Sequence, residues 1–303
     1  MFEALLERAP MPAVGVGVFT AERVVSRGVA RAEADAWWDL ASLTKVLVTL
    51  PEALRLPLDA PLGSVWARAS GKPVGAVTVR QLLSHTAGLP PTIPFFRTAA
   101  SREEVVSMAL ESPVALTGRA DYSDIGYLLA GELVRETRGL GLDALALSRS
   151  GLRFAPLPGP AVPTEQCPWR GRLVCGEVHD ENAYAMGGVA GHAGAFGTLD
   201  LVTAAAQSWL GPAPPPFVSA NPDGERFALG WWLHPARGIG GSTASVSGYG
   251  QAGFVGNRIW FEPDHGYGVV ILSNRIHPTR AADRAPFTDW CDTLLTAVAN
   301  QLR

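Results

Sequence analysis

Ser42 and Lys45 are the residues whose types and spacing first suggest chemistry. The chain of 303 residues holds 25 basic side chains, of which only Lys45 and Lys72 are lysine. Arginine keeps its proton in any protein environment, whereas a buried lysine can lose it and act as a base. A serine and a lysine three apart at the start of a helix lie on one face of its first turn. A neutral amine in that position takes the hydroxyl's proton and makes a nucleophile of a weak alcohol. The spacing therefore predicts nucleophilic catalysis, with Ser42 attacking and Lys45 serving as the base.

Other residues can share that pocket. Tyr122-Ser123-Asp124 opens a helix predicted over Ile125 to Thr137 and can bring a phenol to it. Ser84 to Leu89 ends a short helix in a turn, and the turn-forming Ser, Thr and Gly around His85 mark this histidine as structural. Gly250 to Gly256 leads into a strand, with glycines that permit close backbone approach to a ligand. His179, Asp180 and His192 are of types that bind zinc, but the preferred reading is that they hydrogen-bond a long loop to its lobe. No metal and no cofactor are expected. Glu165 is read as a loop salt bridge, and Trp231, Trp232 and Trp260 as core side chains of strands.

The elements that must carry these residues follow from periodicity and turn signals. Val14 to Phe19 and Arg23 to Ala30 read as strands around a turn at Thr20 to Glu22. A third extended piece falls at Trp37 to Leu40. A helix starts near Ser42 and ends or bends near Pro51. Further helices are predicted at Thr78 to Leu83, Arg102 to Glu111, Ile125 to Thr137, Asp200 to Leu210 and Pro286 to Leu302. Leu152 to Gly197 reads as mostly loop, and Gly211 to Pro216 as a linker. Three strands are expected after it, at Phe227 to His234, Gly253 to Phe261 and Gly266 to Ser273.

This order predicts an α+β fold in which the first and last segments share one antiparallel sheet flanked by helices, with a mostly helical lobe inserted. The whole chain, 1–303, is read as one domain, with a sheet lobe at 1–40 and 225–303 and a helical lobe at 41–224. The site belongs at the seam between lobes.

Composition narrows the function classes. A formal net charge of −3 with scattered arginines supplies no basic field for nucleic acid. The three cysteines, Cys167, Cys175 and Cys291, lack the number and spacing of a disulfide framework or thiolate zinc site. No apolar run reaches membrane-spanning length and the start does not read as a secretion signal. A cytoplasmic protein acting on a small molecule or peptide is expected, with neither nucleic acid nor membrane as partner.

Taken together the motifs resemble the serine β-lactamase-related family, the penicillin-recognising hydrolases that include class C β-lactamases, D-Ala-D-Ala carboxypeptidases and related esterases. Ala41-Ser42-Leu43-Thr44-Lys45 is similar to the family's nucleophile motif. Leu82 to Pro90 resembles the structural signature of its class C-like branch, and Tyr122 to Gly131 its tyrosine motif. Glu177 to Ala183 and Gly187 to Gly194 resemble a subgroup found near cell-wall recycling enzymes. The resemblance implies a β-lactamase/transpeptidase-like fold and an acyl-enzyme on Ser42, with Lys45 and Tyr122 sharing the proton work. It implies an oxyanion hole from the amides of Ser42 and Phe254, and substrate contacts near Gln251, Gly253 and Asp124.

Two departures bear on substrate. Gln251-Ala252-Gly253 stands where the family carries Lys or His, then Thr or Ser, then Gly, so the cation expected to hold a substrate carboxylate is missing. Asp124 stands where lactamases commonly carry Asn; it either raises the Lys45 pKa or points away as a helix cap. The expected activity is hydrolysis of a small ester, amide or D-amino-acid peptide. The alternatives are a β-lactamase or D,D-carboxypeptidase proper, or a catalytically weak protein that binds a muropeptide or other acyl ligand.

Overall fold

The computed structural model describes residues 2–211 and 215–303. Most of its strands join one antiparallel sheet in the order β2 (Val24–Ala30), β1 (Val14–Thr20), β12 (Tyr267–Ser273), β11 (Arg258–Glu262), β10 (Tyr249–Ala252), β9 (Trp232–Leu233), β8 (Arg226–Phe227) and β7 (Ser219–Ala220). The chain's beginning thus pairs with its end: Val14 lies opposite Ser273 and Thr20 opposite Tyr267. The sheet takes β7 from upstream of residue 225. Pro212, Ala213 and Pro214 of the predicted linker lie outside the described residues.

Strand alternation explains how both faces of β1 are covered. Val14, Val16 and Val18 pack with Phe287, Leu294 and Val298 of α10 (Ala285–Leu302) and with Leu6 of α1 (Glu3–Glu7). The other face meets α9 (Leu199–Gln207). A Cβ at Gly17 would stand 2.5 Å from Thr203 Oγ1, so glycine is what lets the helix sit against the strand.

The inserted helices are α2 (Leu50–Ala53), α3 (Leu62–Val65), α4 (Val79–Leu83), α5 (Arg102–Leu110), α6 (Asp124–Arg138), α7 (Leu142–Ser150) and α8 (Glu181–Ala185). Helix α6 runs through their middle, buried continuously from Ile125 to Val134, and stops at Gly139 in the left-handed region. Thr78 and Gln81 form a reciprocal capping box on α4. Short pairs complete the frame: β3 (Trp38–Asp39) with β6 (Phe196–Gly197), and β4 (Gln166–Cys167) with β5 (Arg172–Leu173). Among the described residues no helix is long and apolar enough to cross a membrane.

Two expectations are corrected, and a third is refined. Phe227 to His234 is a hairpin rather than one strand, because Gly230 takes a positive φ of 79° and Ala228 N–H bonds Trp231 O across the turn. Gly253 to Phe261 begins as a turn, and the strand that precedes it, β10, lies at Tyr249–Ala252. The helix after Ser42 does stop near Pro51, at Ala53, but first widens to a π-helical turn over Lys45–Thr49, where Leu50 N–H reaches Lys45 O, before continuing as α2. Proline has no N–H to offer the next turn, and the wider register passes it without a break.

Candidate active site

Ser42 sits on a turn held from below by Asp39. The buried Asp39 carboxylate accepts from Ala41 N–H at 2.8 Å and from His179 N–H at 2.6 Å. Burial pushes its pKa up, and these two amides partly offset the push. Asn257 adds a bond from its amide to Asp39 O at 2.7 Å. Ala41 adopts φ 46°, unusual for a residue with a side chain, and Leu43, Thr44 and Lys45 then begin the helix with bonds three residues back.

Lys45 is fully buried, and each proton of its ammonium has an acceptor. Nζ donates to Ser42 Oγ at 2.8 Å, to His192 O at 3.2 Å and to Asp124 Oδ1 at 2.7 Å. The Tyr122 ring centroid lies 5.1 Å away. Burial is the largest influence on Lys45 and disfavours its charge, yet the Asp124 carboxylate and the Tyr122 oxygen together outweigh it. The amine is held above its ordinary pKa. This overturns the expectation of a neutral resting lysine. It also decides the Asp124 question, since this carboxylate faces Lys45 and makes no cap bond to α6.

Tyr122 is placed by the turn that follows α4. Asp121 N–H bonds His85 O at 2.9 Å, Ser123 N–H bonds His85 Nδ1 at 3.1 Å, and Ser123 Oγ donates to Pro90 O at 2.7 Å. The His85 ring lies 4.4 Å from the Tyr122 ring, with Trp232 on another side at 5.4 Å. His85 is buried with Nε2 unpartnered, and burial, then the Lys45 charge, brings its pKa down to about 3. It is therefore a neutral brace for Tyr122. Burial raises the Tyr122 pKa, so the phenol keeps its proton.

The variant third motif divides its residues. Gln251 is buried and spends its carboxamide on Gly230 O, at 3.3 Å, and on its neighbour Ala252 N–H, at 2.9 Å. It does not line the Ser42 pocket. A Cβ at Gly253 would stand 2.9 Å from Leu40 O, so glycine lets β10 approach the Ser42 turn. Phe254 does face the pocket, its ring stacked on His179 at 5.6 Å. Among the described residues the amides of Ser42 and Phe254 donate to no protein acceptor.

A hollow of about 260 Å³ joins Ser42, Asp124, His179, Asp180, His192 and Phe254. A larger one of about 690 Å³ along α5 contains none of them, so here chemistry rather than volume marks the site. The two imidazoles serve different carboxylates: His192 Nε2 meets Asp180 Oδ1 at 3.0 Å, and His179 Nε2 meets Glu165 Oε1 at 3.3 Å. His192 and Lys45 hold the Asp180 pKa down against burial.

Arg280, which the sequence reading passed over, also lines this pocket. It binds Glu165 at 2.5 Å and Glu181 at 2.6 Å. Glu165, Cys167 and Glu181 come close enough to hold a metal ion, but Arg280 Nη2 already bridges the two carboxylates. No local pattern flags Arg280, since its partner Glu165 is 115 residues away in sequence.

Comparison with known proteins now bears on this geometry. The family model described as Beta-lactamase matches residues 1–290. The chain belongs to the β-lactamase family. It is a hydrolase of the serine β-lactamase-like group, with a Bacillus subtilis relative named N-acetylmuramyl-L-alanine amidase, 27% identical over 83% of this chain and 70% of that one. A Salmonella gallinarum relative, provisionally named a D-alanyl-D-alanine carboxypeptidase, is 26% identical over 65% of this chain; the alignment spans only 56% of that relative's length. The fold also matches a D-alanine carboxypeptidase from Burkholderia cenocepacia with a TM-score of 0.70 at 15% identity, covering 97% of this chain and 96% of that one. The β-lactamase family's fold thus accounts for the mixed helix and antiparallel-sheet architecture.

Proposed function

We propose that the protein hydrolyses a neutral amide or ester through an acyl-enzyme on Ser42. The observation that carries this reading is the buried Lys45 ammonium, 2.8 Å from Ser42 Oγ and 2.7 Å from Asp124. In the resting site the hydroxyl, the phenol and the ammonium all hold their protons, and the Asp124 carboxylate is the acceptor within reach. As Ser42 Oγ bonds to the substrate carbonyl carbon, its proton passes to Lys45 while Lys45 releases one to Asp124. The carbonyl oxygen gains the electron pair and is received by the free amides of Ser42 and Phe254. Collapse expels the leaving nitrogen or oxygen, which takes a proton from Tyr122, and Tyr122 recovers one from Asp124 through Lys45. Water then repeats the sequence on the acyl carbon and restores the Ser42 hydroxyl.

Substrate preference follows from charge. Asp124, Asp180 and Glu181 line the pocket, and Arg280, its exposed cation, is bonded to Glu165 and Glu181. A substrate carboxylate therefore meets acidic neighbours without a free partner. This supports a neutral acyl amide over a β-lactam or a C-terminal D-alanyl peptide. The amide named in the Bacillus subtilis relative is of the supported kind.

Intact-mass spectrometry with a fluorophosphonate tests the reading. A single phosphonyl adduct is expected on the wild type and none on Ser42→Ala, with little or no uptake of penicillin. A wild-type chain that takes no fluorophosphonate and hydrolyses no p-nitrophenyl acetate would instead be a binding protein on this fold.

A further inference from the structure

The hollow of about 690 Å³ along α5 and the Ser42 pocket lie on two sides of one stretch of chain, residues 90–97. Thr92 lines the Ser42 pocket, and Pro94 and Phe96 line a hollow that adjoins it. Ile93 and Phe95, between them in sequence, line the α5 hollow instead. The same stretch holds the start of α6 in place. Pro90 O accepts from Ser123 Oγ at 2.7 Å, and Pro91 O accepts from Asp124 N–H at 2.9 Å. Asn182 secures the far end, accepting from Phe96 N–H at 3.0 Å and donating to Ile93 O at 2.8 Å. One thin wall thus carries a backbone bond to the residue that charges Lys45, with an open hollow behind it.

That hollow contains a polar group the fold leaves unserved. Ser112 lines it and is 2% exposed, and among the described residues its buried hydroxyl has no hydrogen-bond partner. A buried hydroxyl left alone is costly, and a ligand that supplies its partner recovers that cost. Around Ser112 the walls are apolar: Ile93, Phe95, Met108, Leu110 and Pro113. Met108 is partly exposed, and its flexible thioether adapts to the shape of what it covers.

The charged residues at the hollow select against an ionic occupant. Arg68 is bonded to Glu103 at 2.5 Å and to Glu136 at 3.0 Å, and Lys72 is paired with Glu111. Each cation already has its carboxylate, so a charged ligand would lose its water without meeting an unpaired opposite charge. An aliphatic chain suits the apolar walls, and one neutral hydroxyl or carbonyl head suits Ser112. The volume falls within the range of small-molecule sites, roughly 300–1,000 Å³.

We infer that the α5 hollow is an effector site for a neutral alkyl amphiphile, its head on Ser112 and its chain against Ile93 and Phe95, and that occupancy stiffens residues 90–97 behind the Ser42 pocket. A ligand packed on one face of this stretch restricts the other, and Ser123 and Asp124 are tied to its backbone. The site is separate from the proposed acyl transfer and stands whether or not Ser42 forms an acyl-enzyme.

The test titrates the full-length wild-type protein with 1-octanol, which carries no acyl group for Ser42 to attack, and reads binding by heat. Saturable binding is expected, with octanoate at least about tenfold weaker because its charge must be buried. Ser112→Ala should raise the Kd for 1-octanol about threefold to tenfold, and it keeps its fold because the hydroxyl removed has no partner in the protein. Ser107→Trp, at an exposed position on α5 that lines the hollow, should block binding. Amide hydrogen exchange at Phe96 and Asp124 should slow at saturating 1-octanol, by about threefold or more. Absence of saturable binding, a Kd indifferent to both variants, octanoate binding as tightly as the alcohol, or unchanged exchange at both amides would each overturn the inference.

Discussion

The Asp124 carboxylate lies 2.7 Å from the Lys45 ammonium. One side chain at the start of α6 thus decides the charge of another at the start of the helix that carries Ser42. A neutral amine beside the serine would itself be the base; a charged one with a carboxylate behind it is a relay.

That distinction predicts the pH dependence of an Asp124→Asn variant. In the wild type Asp124 holds the Lys45 pKa up, so the amine stays charged throughout the neutral range. Without the carboxylate, burial remains and pushes the amine down. The kcat/KM for p-nitrophenyl acetate should then gain a limb that rises with pH as Lys45 deprotonates. A profile from pH 5 to 10 superimposable on that of the wild type would contradict the relay.

His85 should make the fold sensitive to mild acid. Its pKa is about 3 in the fold, against an unfolded value of about 6.5. Its neutral state contributes stability above the unfolded value, and that contribution is lost as pH falls from about 6.5 toward 3. Between pH 7 and 4 the urea midpoint should fall less for His85→Asn than for the wild type. Asparagine also tolerates the φ of 60° found there, so His85→Val should be the less stable of the two variants at pH 7.

Glu165 acts over a lower range. Burial raises its pKa, but hydrogen bonds from His179 and Arg280 outweigh this and bring it to about 2. Its contribution is present above an unfolded value of about 4.3 and lost as pH falls toward 2. Glu165→Gln should lower stability at pH 7 by about 1–3 kcal/mol and flatten the loss of Tm below pH 4.5. Calorimetry across pH 2.5 to 7 measures both effects.

Gly191 joins the loop carrying His192 to α6. A Cβ there would press into Tyr127 O and stand 2.8 Å from Gly131 Cα. The same backbone accepts Thr49 Oγ1 at 2.7 Å through Gly191 O, and Lys45 through His192 O. Gly191→Ala should cost about 1–3 kcal/mol from overpacking and slow fluorophosphonate labelling at least tenfold as His192 O is displaced. Thermal melts and labelling rates at matched temperature check the two effects; normal labelling would mean that this carbonyl does not position Lys45.

Much of the framework was legible because its signals are local. Thr78 and Gln81 cap α4, Ser101 caps α5, and Gly139 ends α6, each within a few residues of the element it bounds. The turn signal at Thr20 to Glu22 between two short strand patterns marked β1 and β2. The β8–β9 hairpin was misread because a continuous apolar run looks the same whether or not Gly230 turns the chain back.

The spacing of Ser42 and Lys45, with the order of the later motifs, was enough to identify a family and its candidate nucleophile, because helix pitch alone places those two side chains together. Whether the amine is charged depends on Asp124 and His192 O, brought in from other elements. Burial and Coulomb energy depend on distance in space, so charge and pocket shape became defined only when the folded chain brought these distant residues together.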